Sequence, residues 1–275
     1  MTIALVQMVS SQSVEVNLRN AEDLIDEAAS AADYVFLPEN FAALASDDPR
    51  RIGLAEITAD GPIRSFLREV TQRHRCWLFA GTFPIASRPD DGPVPDGRVR
   101  AASLVLNPDG SEVYRYDKIH MFDVAVDDNQ GAYRESALFE PGEDIVTCEC
   151  PLGTVGLSVC YDIRFPELYR RLFAEKVDLI TVPSAFTETT GQAHFELLMR
   201  ARAVENSCYM VAACQGGVHD SGRRTWGHSM VVDPWGRVVA ELATGPGVLV
   251  CELDLQIRDQ LRRDMPFHLQ QRLTS

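Results

Sequence analysis

The stretch Gly156-Leu157-Ser158-Val159-Cys160-Tyr161-Asp162-Ile163-Arg164-Phe165-Pro166-Glu167-Leu168 reads as a strand running into a helix. An apolar, β-branched run leads into Cys160, and Phe165-Pro166-Glu167-Leu168 opens a helical pattern. Cys160 therefore falls where a strand ends and the chain turns. Such a turn lifts a side chain out of the sheet and aims helix-start N–H groups at whatever it attacks. A cysteine so placed is a candidate nucleophile, and its chemistry depends on the base and the oxyanion partner that accompany it.

Outward from this turn, strand and helix patterns alternate. Residues 3–8 alternate like a strand, without the basic start of a signal peptide. Leu18, Ala21, Leu24, Ile25, Ala28 and Ala32 form a helical stripe, and residues 34–37 form a short apolar strand stopped by Pro38. Asp60 is expected to cap a second helix carrying Ile63, Phe66, Leu67 and Val70, and residues 77–81 read as a strand. Three hairpins follow: 101–106 with 111–116 across Asn107-Pro108-Asp109-Gly110, 145–150 with 154–159, and 228–233 with 237–242. Strands are expected at 179–182, 209–214 and 248–253, and helices at 194–206 and 255–265. Residues 87–98, rich in Pro, Asp and Gly, read as a surface loop within a run of strands. With no linker-like segment and no repeat, the pattern points to one α/β domain over residues 1–275, a layered sandwich of sheets and helices.

Composition limits the function. The net charge of −14 argues against nucleic acid, whose phosphates need clustered Lys and Arg, and against anionic membrane surfaces. An anionic substrate remains possible if a few cations share one pocket. No apolar run is long enough to span a bilayer. The seven cysteines are odd in number and scattered, without C-x-x-C, which reads as a reducing, cytoplasmic compartment. Cys148 and Cys150 share one face of a strand and read as packing residues. Nothing has the spacing of a zinc site.

Glu39 follows the strand at 34–37 directly, and Lys118 follows the hairpin strand at 111–116. Either alone reads as a solvated loop charge. With Cys160 they make a coherent set: a carboxylate that can take the thiol proton and an ammonium that can hold an oxyanion. Leu37-Pro38-Glu39, Tyr116-Asp117-Lys118-Ile119-His120 and Cys160-Tyr161-Asp162-Ile163-Arg164-Phe165-Pro166-Glu167, in that order, resemble the three motifs of the nitrilase superfamily of carbon–nitrogen hydrolases. The resemblance covers nearly the whole chain. It implies a four-layer α-β-β-α sandwich, hydrolysis of non-peptide C–N bonds, a Glu39–Lys118–Cys160 triad, no cofactor or metal, and a homodimer. Glu135 matches a second glutamate of many members, which helps position substrate or lysine; it reads equally well as a loop acid paired with Arg134 or another cation.

An isolated thiol, with a pKa of about 8.5, is mostly protonated at neutral pH, and Lys118 and the helix start are expected to lower it. Glu39 would accept the proton, Cys160 would attack an amide carbonyl, and Lys118 with the Tyr161 backbone N–H would hold the oxyanion. A Cys–His reading, with His120 two residues from Lys118, competes, as does a non-catalytic interaction protein. Within the superfamily, residues 133–136, 190–198 and 227–229 resemble the Nit branch. Residues 202–217 look more like members that hydrolyse deaminated glutathione than like ω-amidases acting on 2-oxoglutaramate or 2-oxosuccinamate. Such small anionic amides call for cations in the pocket. Arg164 is nearest Cys160 in sequence, though it also reads as an ion pair with Asp162 or Glu167. Residues 187–194 could form the pocket lip, with His194 either a contact or simply a helix-start residue.

Overall fold

The strand Thr2–Gln7 shows how the layers are stacked. Ile3 and Leu5 join one packing layer while Ala4 and Val6 join another. Successive side chains of a strand point to opposite faces, so a strand buried on both faces must be covered on both. In the computed structural model, which describes residues 1–46, 48–128 and 130–273, two sheets provide the inner layers. One has the order Gly247–Glu252, Thr2–Gln7, Tyr34–Phe36, Trp77–Phe79, Arg100–Leu106 and Phe83–Ile85, with Glu112–Asp117 also paired to Arg100–Leu106. The other has the order Val238–Leu242, Ser229–Val232, Tyr209–Ala212, Leu179–Thr181, Gly153–Leu157 and Thr147–Cys150.

Each sheet has three parallel strands at its centre and antiparallel strands outside them. Parallel neighbours need crossover helices, and each sheet has two. Helices Val14–Ala29 and Pro62–His74 bury Ala21, Ile25, Ile63, Leu67 and Val70 against Ala4, Val6, Val35 and Leu78. Helices Pro166–Ala174 and Glu188–Asn206 bury Leu168, Leu172, Phe195 and Met199 in the layer that also takes in the inner faces of both sheets. The result is the expected α-β-β-α sandwich. Ligands of such folds gather beyond the carboxyl ends of the parallel strands. Residues 39, 160 and 185 all follow parallel central strands there.

Two helix starts differ from expectation. Gly61, not Asp60, is the N-cap of Pro62–His74, and it offers no side-chain cap. The buried Glu56 carboxylate replaces one by accepting from Ile63 N at 2.8 Å and Arg64 N at 3.1 Å. The helix expected at 194–206 starts at Glu188, because the Thr187 hydroxyl caps it by accepting from Thr190 N. The helix Pro49–Ala55 and the two-stranded pairs Asp123–Ala125/Ala132–Arg134 and Gly216–Val218/Arg224–Trp226 had no counterpart in the sequence reading.

Candidate active site

Cys160 opens a 3₁₀ turn, Cys160–Arg164, between the strand Gly153–Leu157 and the helix Pro166–Ala174. Its φ is +46°, left-handed, which for a non-glycine residue costs on the order of 1–3 kcal/mol and persists only where surroundings dictate it. Here they do. Cys160 N donates to Pro183 O at 3.0 Å. Two residues on, the fully buried Asp162 accepts from Val159 N at 2.8 Å, Tyr116 OH at 2.7 Å and His120 N at 3.0 Å, and pairs with His120 Nδ1 at 2.7 Å. The Tyr161 N–H, at the start of the turn, has no acceptor among the described residues.

Lys118 and two glutamates meet beside this turn. Lys118 is 2% exposed; its Nζ donates to Glu39 Oε1 at 2.8 Å and to both Glu135 oxygens at 2.9 and 2.8 Å. The other Glu39 oxygen accepts from Ala185 N at 2.8 Å, and Glu135 Oε2 also accepts from Phe122 N. Glu135 thus pairs with Lys118 rather than Arg134. The Glu39 main chain is held as well, because Gln215 Nε2 donates to its carbonyl at 3.1 Å. Gly81 explains the tightness of the preceding turn. At φ +52°, a Cβ there would lie 2.0 Å from Pro38 O.

The electrostatics follow from this packing. Burial pulls the Lys118 ammonium down, but Glu135, Glu39 and the Cys160 sulfur outweigh it and hold its pKa well above the ordinary lysine value. Burial raises Glu135, against the pull of Lys118. Burial and then the Glu39 carboxylate push the Cys160 thiol well above its usual value, overcoming Lys118 and the Ala185 N–H. This corrects the expectation of a thiol acidified by its neighbours: at rest Cys160 is a protonated thiol next to a carboxylate.

Glu39, Lys118, Glu135, Cys160 and Tyr161 all line one cavity of about 210 Å³. Phe122, Tyr133, Ala185, Phe186, Arg134 and Arg223 are among its other walls. Arg164 and His194 are not. They face each other at 3.4 Å, with the Arg164 guanidinium over the Tyr161 and Phe186 rings and no acidic partner among the described residues. His120, the competing base, points to Asp162 and stacks on Phe165 with ring centroids 3.7 Å apart. Ala185 and Arg223 were not expected at the site, and Asp162 and Arg134 entered the sequence analysis only as ion-pair partners of Arg164 and Glu135. Only Asp162 left a signal, as an acid two residues past the cysteine.

Residues 2–263 match the carbon-nitrogen hydrolase family. The chain belongs to that family. It is a hydrolase acting on non-peptide carbon–nitrogen bonds, and the resemblance to the Nit branch of the nitrilase superfamily is borne out. The deaminated glutathione amidase of Yersinia enterocolitica is 39% identical over 264 residues, covering 96% of this chain and 90% of that protein. The structure of Saccharomyces cerevisiae Nit3, a member of branch 10 of the nitrilase superfamily, superposes with a TM-score of 0.84 at 30% identity, covering 97% of this hydrolase and 94% of Nit3. Caenorhabditis elegans NitFhit superposes with a TM-score of 0.84 at 35% identity; the match covers 98% of this chain and 65% of NitFhit.

Proposed function

We propose that this hydrolase cleaves the amide of deaminated glutathione to 2-oxoglutarate and cysteinylglycine, using Glu39, Lys118 and Cys160, within one catalytic domain spanning residues 1–275. The observation that carries the reading is the Lys118 ammonium, gripping Glu39 at 2.8 Å beside Cys160 in a walled cavity. Glu39 takes the thiol proton as sulfur attacks the amide carbonyl. The carbonyl electrons move to an oxyanion held by Lys118 Nζ and the Tyr161 N–H; one such donor is worth on the order of 3 kcal/mol of barrier. The C–N bond breaks as Glu39 passes its proton to the leaving nitrogen, and a thioester remains on Cys160. Water then gives a proton to Glu39, attacks the thioester carbonyl and releases the acid; the sulfur recovers its proton. Glu135, on the far side of the ammonium, keeps Lys118 charged and in place.

The substrate assignment is supported by relatives named deaminated glutathione amidase at 39% identity. ω-Amidase action on 2-oxoglutaramate or 2-oxosuccinamate is the alternative; with 2-oxoglutaramate the enzyme-bound acyl group would be the same. Comparing kcat/KM for deaminated glutathione and 2-oxoglutaramate decides: we expect preference for the former, and a tenfold preference for the latter would overturn the assignment. We further propose a cytoplasmic homodimer. Seven unpaired cysteines fit a reducing compartment, and gel filtration at monomer mass would remove the dimer.

A further inference from the structure

The proposed substrate carries a carboxylate at each end, one on the oxo-acid and one on the glycine of the leaving group. Two arginines are among the walls of the cavity, Arg134 and Arg223, and neither has an acidic partner among the described residues. Elsewhere in this molecule, Arg64, Arg100, Arg115, Arg202, Arg258 and Arg262, all mostly buried, each grip a carboxylate. Half-buried Arg223 is kept without one in a chain of net charge −14, at a desolvation cost that an incoming anion would offset.

Its position is built. Arg223 Nη2 donates to Ala185 O at 3.0 Å, and the N–H of that same Ala185 donates to Glu39 Oε2 at 2.8 Å. The guanidinium is therefore fixed one residue away from the carboxylate proposed to protonate the leaving nitrogen. It lies over the Tyr133 ring at 5.2 Å, and its buried Nε has no acceptor. Tyr133 and Arg223 also border a second depression of about 230 Å³. Of the acids there, Asp128 accepts from Tyr133 OH and Glu188 pairs with Arg224, while the Asp127 carboxylate forms no ion pair with Arg223. Glu39 and this unpaired planar cation thus line the same cavity, where a leaving group larger than ammonia would meet both.

We infer that Arg223 is the residue that selects the leaving group, by binding the terminal carboxylate of a dipeptide such as cysteinylglycine through its guanidinium fork. This rests on the amidase reading of the same site. The test compares deaminated glutathione with its C-terminal carboxamide on the wild type, Arg223→Gln and Arg223→Lys. The acid-to-carboxamide ratio of kcat/KM should be about 10–100 in the wild type, carried mainly by KM. It should fall to within threefold of one in Arg223→Gln and be partly restored in Arg223→Lys. Because the ratio is internal to each variant, a general loss from the broken Ala185 contact cancels. A wild-type ratio near one, or a ratio unchanged in Arg223→Gln, overturns the inference while leaving the amidase reading intact. A wild type that hydrolyses neither compound sinks the amidase reading, and the inference with it.

Discussion

Asp162→Asn should damage both stability and turnover although Asp162 need not touch the substrate. The carboxylate is fully buried and takes two backbone N–H groups, one on each oxygen: His120 N at 3.0 Å on Oδ1 and Val159 N at 2.8 Å on Oδ2. Asparagine has the same size but replaces one oxygen with an NH₂. Whichever way the amide is turned, one backbone donor then faces another donor. An unmet buried donor costs roughly 1–3 kcal/mol, and the remaining bonds lose their charge assistance at about 1 kcal/mol each. A loss of about 3–4 kcal/mol is expected, short of the roughly 5–15 kcal/mol that holds a domain folded. The left-handed backbone of Cys160 gives the turn a strain that its release would relieve, so the sulfur should shift; misplacement by about 1 Å costs on the order of 100-fold in rate. Urea unfolding and kcat, measured for Asp162→Asn, Tyr116→Phe and the double variant, test this. Tyr116 OH donates to the same oxygen at 2.7 Å, so its removal should cost at least about 1 kcal/mol less in the asparagine background. Stability within about 0.5 kcal/mol of wild type together with full turnover, or an additive cycle, would refute the reasoning.

Other perturbations separate the parts of the site. Glu39→Gln should cut turnover by about 10²–10⁴-fold yet lower the pH at which Cys160 ionises, because the carboxylate that raises the thiol is gone and Lys118 remains; absorbance near 240 nm against a Cys160→Ser control reads this, and an unmoved or higher titration would be contrary. Gly81→Ala places a Cβ 2.0 Å from Pro38 O at φ +52°, so about 2–3 kcal/mol of stability and most turnover should be lost as Glu39 moves; wild-type kcat would contradict the turn's role. Burial pushes the Cys76 thiol from 9.0 up to about 11 and Cys208 up to about 12, so these thiols stay neutral in the fold while the unfolded chain ionises. A raised folded value means stability present below pH 9 and lost above it. At pH 10 the two thiols together should cost about 3 kcal/mol relative to pH 8, and a Cys76→Ala/Cys208→Ala variant with the same pH slope in its urea midpoint would disprove the attribution.

The central strands and the helices that cover them were legible because burial on both faces leaves continuous apolar runs such as Tyr34–Phe36 and Leu179–Thr181. The Asn107 turn was equally legible: its side chain accepts from Asp109 N at 3.2 Å and Ser111 N at 3.0 Å. What escaped was the mouth of the cavity. Tyr133, Arg134 and Arg223 lie on or beside the two small strand pairs, whose strands are three residues long and whose alternation is too brief to count. The N-cap of Pro62–His74 escaped because Glu56 supplies it from seven residues before Ile63, outside any local capping pattern. The raised Cys160 thiol is hidden from the sequence for a related reason. Sequence displays Lys118 and the helix start, but not the burial and the contact with a carboxylate from the opposite sheet that overrule them.

The raised thiol bears on why a carboxylate, and not a histidine, stands next to the sulfur. The proposed path starts from a neutral thiol, two carboxylates on Glu39 and Glu135 and the Lys118 ammonium they contact, which sum to one negative charge. On the proposed path, Glu39 becomes neutral as the oxyanion forms, so the sum is unchanged and the negative charge stays beside the same ammonium. No free thiolate need be made in a site where burial disfavours one, and no ion is created that water would have to solvate. A neutral histidine base would instead become a cation as the oxyanion formed, separating charge within the buried site. His120, the histidine within the Lys118 motif, is already committed to Asp162, and there it holds the turn that strains Cys160.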